Sequence, residues 1–192
     1  MPEAGNGGVS ISPAAPAYVM LGTIGSGKTV QAHRLRDEIN AQSLSVGSLI
    51  RHHLVDDPRV ARGELLPHEE VVAIVTEAMT TVDDMQPVIF DGFPRVVEQK
   101  TWLDQYLTQH NRPLAAVFYL KVDETEINKR LAQRGRADDT PQAIARRKRW
   151  FEDHVTPVLE SYQSSGHVVE IDGNRDQDAV FNQIVSALEQ GE

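Results

Sequence analysis

Gly22-Thr23-Ile24-Gly25-Ser26-Gly27-Lys28-Thr29 decides the reading of this chain. These eight residues match G-x-x-x-x-G-K-[ST] in full. They follow an apolar stretch, Ala17–Gly22 (AYVMLG), and open an amphipathic one, the strand-then-helix context that gives the pattern its meaning. Glycines let successive backbone N–H groups turn inward around an anion, and the helix N-terminus adds its positive dipole end. The contacts expected for a bound triphosphate are Gly25, Ser26, Gly27, Lys28, Thr29 and Val30. Lys28 reaches the β- and γ-phosphates, and the Thr29 hydroxyl ligates Mg²⁺. Asp91, at the end of a second apolar stretch, is expected to hold the same ion through water.

Outward from the loop, short apolar runs alternate with amphipathic stretches. Ala17–Gly22, Pro87–Phe90, Leu114–Leu120 and His167–Ile171 read as buried strands, with Leu44–Val46 a weaker fifth. Val71, Ile74, Val75, Ala78, Met79 and Val82 follow helical spacing, as do Trp102, Leu103, Tyr106 and Leu107, and Val180, Ile184 and Leu188. Asp123 with Glu126 reads as a capping pair for a helix reaching about Arg134. Thr140–Pro141 reads as the start of a long helix that Gly166 ends and Pro157 kinks. Strands alternating with helices imply an α/β fold: a parallel five-stranded sheet of the P-loop NTPase type, flanked by helices. Residues 1–16, rich in Gly, Pro, Ser and Ala, are expected to be a flexible tail on a domain spanning 17–192. The mostly helical stretch 44–82 is longer than an ordinary crossover and is a candidate small subdomain.

Composition excludes several classes. The chain has 192 residues and a net charge of −9, which disfavours tracking a nucleic-acid backbone. Nothing approaches the apolar run a membrane span needs, and no secretory signal is evident. With no cysteine, disulfides and thiolate metal sites are excluded and a cytoplasmic location is expected. Five of the nineteen basic residues are Lys and the rest are Arg, the better bidentate partner for phosphate.

The arginines carry a resemblance. Asp91-Gly92-Phe93-Pro94-Arg95 resembles the DGFPR segment of adenylate kinases and their relatives. Ser45-Val46-Gly47-Ser48-Leu49-Ile50-Arg51 resembles their STGDLLR segment, and Gly63-Glu64-Leu65-Leu66-Pro67 their GxLVP. Arg130-Leu131-Ala132-Gln133-Arg134-Gly135-Arg136-Ala137-Asp138-Asp139 resembles the RLxxRGRxDD of short-lid members, and Arg147 falls where those proteins carry a further arginine. The chain is similar in this order over about residues 17–173.

The resemblance implies a nucleoside monophosphate kinase, most simply ATP + AMP = 2 ADP, with Mg²⁺ and no zinc. It implies that Arg51 and Arg95 clamp the acceptor monophosphate and that Arg134, Arg136 and Arg147 embrace the transferring phosphoryl group. Arg130 would lie against the donor base and Gln99 would bond the acceptor adenine. Val46, Leu66 and Gly92 would line the acceptor site formed by 44–82, and Asp138 and Asp139 would organise a short lid, 135–139. Independently, Arg130 and Arg134 share a helix face at i, i+4, and such a cation cluster needs an anion. The nucleophile is already a phosphate oxygen, so positioning and charge neutralisation suffice. ATP and a nucleoside monophosphate are then the partners, and a monomer is expected.

Departures keep alternatives open. The family has Pro at Ile24, Gly-Thr at Thr29-Val30, and Asp at Ser48, whose charge would help organise the waters of the metal. Val46 and Val96 match neither the adenylate nor the pyrimidine pattern, while Gln99 favours adenine. A UMP/CMP-preferring kinase and a nucleotide-binding regulator with weak turnover are the competing readings. A GTPase is disfavoured, since no Asn-Lys-x-Asp segment is present.

Overall fold

The computed structural model describes residues 13–61, 64, 66–134 and 140–190. Five strands, β1 (Ala17–Leu21), β2 (Gln42–Ser45), β3 (Val88–Asp91), β4 (Leu114–Lys121) and β5 (Val168–Asp172), form one sheet in the order β2-β3-β1-β4-β5. Every pairing is parallel. Between the strands run α1 (Lys28–Glu38), α2 (Val46–His53), the short α3 (Pro58–Ala61), α4 (His68–Met79), α5 (Val97–Gln109), α6 (Glu124–Arg134), α7 (Pro141–Trp150) and α8 (Thr156–Ser164). A further helix, α9 (Gln177–Gln190), follows β5. Among the described residues no helix is long and apolar enough to cross a membrane.

The period of two along each strand divides the core. Ala17, Val19, Leu21, Val88, Phe90 and Val117 face one layer, where Val71 and Val75 of α4, Leu103 and Leu107 of α5, and Val158 and Tyr162 of α8 pack. Met20, Ile89, Phe118 and Leu120 face the other, against Ala32 and Leu35 of α1 and Val180 and Ile184 of α9. Burial on both faces explains why the central strands are apolar throughout.

Local details correct several boundaries. The fifth strand is Gln42–Ser45 rather than Leu44–Val46. It lies at the sheet edge, so only Leu44 needs to be apolar, and buried Val46 instead opens α2. Leu44 and Ser45 pair with β3, so the helical excursion begins at Val46. The expected capping pair is not made: the Asp123 N–H donates to Asn174 Oδ1 (2.9 Å), and the Glu126 carboxylate accepts from Arg130 Nε (2.8 Å). At α7 the expected start forms, with Thr140 Oγ1 accepting from Ala143 N and Pro141 in the first turn. The long helix is interrupted as Pro157 requires, but through a π-helical turn, Phe151–Val155, just before the proline. The wider turn accommodates the carbonyls that the pyrrolidine ring would meet one turn back.

Candidate active site

The loop after β1 enters α1 through Gly27, which has φ +93° at the N-cap, a conformation open to glycine and costly to any residue with a Cβ. Lys28 Nζ reaches back to donate to the Thr23 carbonyl (3.3 Å). Thr29 Oγ1 donates to Asp91 Oδ2 (2.7 Å), joining the first turn of α1 to the end of β3. Asp91 is 3% exposed and its Oδ1 has no hydrogen-bond partner among the described residues; buried Ser26 Oγ, in the loop itself, likewise has none among them. Such orphaned oxygens are costly in a dry interior. The Thr29 hydroxyl and the Asp91 carboxylate, one of whose oxygens is unsatisfied, are hard oxygen donors of the kind Mg²⁺ takes and stand beside the phosphate loop, so these residues fit the ion.

Arg130 binds the loop from α6. Its Nη1 donates to the Ser26 carbonyl (3.2 Å), its Nη2 to the carbonyls of Gly173 (2.7 Å) and Arg175 (3.3 Å), and its Nε to Glu126. The i, i+4 spacing of Glu126 and Arg130 was a signal for this pair, which the capping reading obscured. The Glu126 carboxyl is held below its ordinary range by the Arg130 hydrogen bond.

A second cation group assembles beyond β3. Arg95 Nε donates to the Gly92 carbonyl (2.7 Å), and the Arg95 N–H donates to Oε1 of buried Gln99 (2.8 Å). Gly92 has φ +72°, and a Cβ there would lie 3.2 Å from Arg95 Nη2 and 3.6 Å from Lys28 Cε. The phosphate-loop lysine and this arginine therefore meet over one bare backbone position. Arg51 approaches from α2: a Cβ on Gly47 would lie 3.4 Å from Arg51 Nη1 and 3.5 Å from Arg95 Nη2. Burial lowers the Arg95 guanidinium from its ordinary value; nearby Asp91 opposes that shift, and Arg51 and Arg147 add to it. Arg147, in the last turn of α7, thus belongs to the same charge group.

The structure brings Gly25, Ser26, Gly27, Lys28, Thr29, Val30, Asp91, Gly92, Arg95, Gln99, Arg51, Arg130 and Arg147 to the C-terminal side of the sheet. Val46 is buried in the core, and Leu66 packs against it half-buried. Val96 is the extended N-cap of α5. Ser48 Oγ sits between Arg51 Nη2 (2.8 Å) and Ser45 Oγ (3.2 Å), a contact that the sequence did not suggest. The side chain of Arg134, the lid 135–139 with Arg136, Asp138 and Asp139, residues Gly63 and Leu65, and tail residues 1–12 lie outside the described residues.

The chain matches the family model described as adenylate kinase over residues 20–167. It is similar to an adenylate kinase of Parvibaculum lavamentivorans, 33% identical over 88% of this chain and 90% of that protein. It is also similar to one of Thermus thermophilus, 31% identical over 90% and 96%, and to one of a Mycobacterium species, 33% identical over 88% and 97%.

Proposed function

The chain belongs to the adenylate kinase family, and on that premise we propose that it transfers the γ-phosphoryl group of ATP to AMP, giving two ADP. The observation that carries this reading is the meeting of Lys28 and Arg95 over Gly92, with Arg51 beside them across Gly47. A phosphate loop alone needs one anion. A second arginine pair at its mouth needs another, held close enough for transfer.

In this reading the loop residues Gly25 to Val30 wrap the triphosphate of ATP, with Lys28 on its β- and γ-oxygens. Arg130 joins the loop to the chain after β5 and borders the donor base. Arg51 and Arg95 grip the phosphate of AMP, Gln99 and half-buried Leu66 face its base, buried Val46 backs the acceptor site from the core, and bare Gly92 leaves room for the phosphate. An AMP phosphate oxygen attacks the γ-phosphorus, and the bond from that phosphorus to the bridging oxygen of ADP breaks. Negative charge moves from the nucleophile to the leaving β-phosphate, so no general base is needed. Arg147, with Arg134 and Arg136, neutralises the equatorial oxygens. Thr29, and Asp91 through water, would hold Mg²⁺, which shields the β- and γ-phosphate charge when bound. Water is a competing acceptor in such a site, so transfer to AMP requires its exclusion from the transferring group. The same chain supplies both substrate sites, so a monomer suffices, and the absence of cysteine fits a cytoplasmic enzyme.

The test is a panel of AMP, CMP, UMP and GMP with Mg·ATP, read by ³¹P NMR for β-phosphate signals of new diphosphates. AMP is expected to be the preferred acceptor. No transfer to any member would overturn the reading, and preference for CMP or UMP would move the acceptor base.

A further inference from the structure

Arg51 is long and exposed, and a free arginine there would spread its guanidinium over many rotamers. It is tethered instead. Its Nη2 donates to Ser48 Oγ (2.8 Å), and Ser48 Oγ donates to Ser45 Oγ (3.2 Å). The three residues stand at i, i+3 and i+6, one face of the start of α2. Ser45 is the last residue of β2 and pairs with Asp91 of β3; one residue further, the Gly92 carbonyl holds Arg95 Nε. Register between two strands therefore fixes the roots of both guanidinium groups. Their remaining tips, Arg51 Nη1 and Arg95 Nη2, both approach the space that a Gly47 side chain would fill.

We propose that Ser48 is a positioning residue for the acceptor nucleotide. Its hydroxyl relays the geometry of the β2 end to Arg51 Nη2 and so aims Nη1 toward Arg95, letting the two arginines grip one monophosphate. A hydroxyl performs this without neutralising the guanidinium, which keeps its full charge for the incoming phosphate. The inference rests on the reading of Arg51 and Arg95 as the acceptor clamp. It adds what holds one arm of that clamp in place.

Steady-state kinetics with AMP and ATP varied separately test it on the full chain and its Ser48→Ala, Ser48→Thr, Ser45→Ala, Arg51→Ala and Ser48→Ala/Arg51→Ala variants. Transfer to AMP by the unmodified chain, and loss of AMP affinity in Arg51→Ala, test the clamp itself. With both in hand, Ser48→Ala is expected to raise KM for AMP about three- to tenfold, as loss of one exposed hydrogen bond to a charged group implies. KM for ATP and kcat should stay within about twofold. Ser48→Thr, which keeps the hydroxyl, should recover most of the loss, and Ser45→Ala should shift the same parameter less in the same direction. In the Arg51→Ala background, Ser48→Ala should have almost no further effect, because its action runs through that arginine. An unchanged KM for AMP, an equal rise for ATP, or an undiminished effect without Arg51 would each overturn the proposal.

Discussion

Arg95 is held at three points: Nε on the Gly92 carbonyl, its own N–H on Gln99, and its charge beside Asp91, Arg51 and Arg147. Burial and the neighbouring cations work against its charge, and among the described residues Asp91 offsets them. A bound phosphate relieves that arrangement, which is why the group suits an anion that comes and goes. Arg95→Ala is expected to weaken AMP by about 2–5 kcal/mol, the usual cost of truncating one side of a buried charged contact. ATP affinity should change little, since Lys28 and the loop backbone keep the donor. Calorimetric titration of each nucleotide checks this, and equal losses for both would contradict the assigned role. The DGFPR segment made Arg95 visible in the sequence because its partners Gly92 and Gln99 lie within four residues. Ser48 showed only as a missing charge. Its contact with Arg51 depends on which rotamer a long side chain takes, and no spacing rule states that.

Helix ends show the same division between local and distant causes. α8 stops at Gly166, where φ is +77°; the Gly166 N–H donates to the Gln163 carbonyl and the His167 N–H to the Tyr162 carbonyl. That pair of bonds is the Schellman closure, and it needs a left-handed residue at this point. A Cβ at Gly166 would meet nothing within 4 Å, so substitution is a test of backbone strain alone. Gly166→Ala should destabilise the protein by about 1 kcal/mol, lowering Tm by about 2–4 °C in a chain of this size. Kinetic constants should hold at room temperature. A differential-scanning trace with no shift in Tm would rule out the strain. Gly166 and the Thr140–Pro141 start were legible because each cap is made within five residues. The π-helical turn was not, because Pro157 announces a break without saying whether the chain kinks or widens. The edge strand β2 was blurred because Gln42, Ser43 and Ser45 carry no apolar alternation; pairing with β3, not burial, makes them a strand.

Across the whole molecule, the two ends of the sheet do different work. The order β2-β3-β1-β4-β5 turns outward in both directions from β1, so a crevice opens at the C-terminal end of β1, and the phosphate loop lies there. The opposite end is knitted shut. Ala17 N–H donates to the Pro113 carbonyl, Val88 N–H to Pro16 and Ala15 N–H to Asp84. Arg112 closes this end with a side chain only 1% exposed, donating to the carbonyls of Ala15 (2.6 Å), Gln86 (2.8 Å) and Asp83 (3.1 Å), with Asp84 at 3.5 Å. No sequence pattern marks this arginine, because its partners are main-chain oxygens 26 to 97 residues away. Arg112→Ala strands those carbonyls and leaves a hollow under the chain entry. It is expected to remove about 3 kcal/mol of stability, or roughly 6–12 °C of Tm. Because Arg112 lies at the end of the sheet away from the site, kcat and both KM values should hold well below the new Tm. Chemical denaturation followed by tryptophan fluorescence, run beside the kinetic assay, separates the two ends. A normal midpoint would mean that the backbone bonds suffice, whereas impaired kinetics in fully folded protein would mean that this end is coupled to the site.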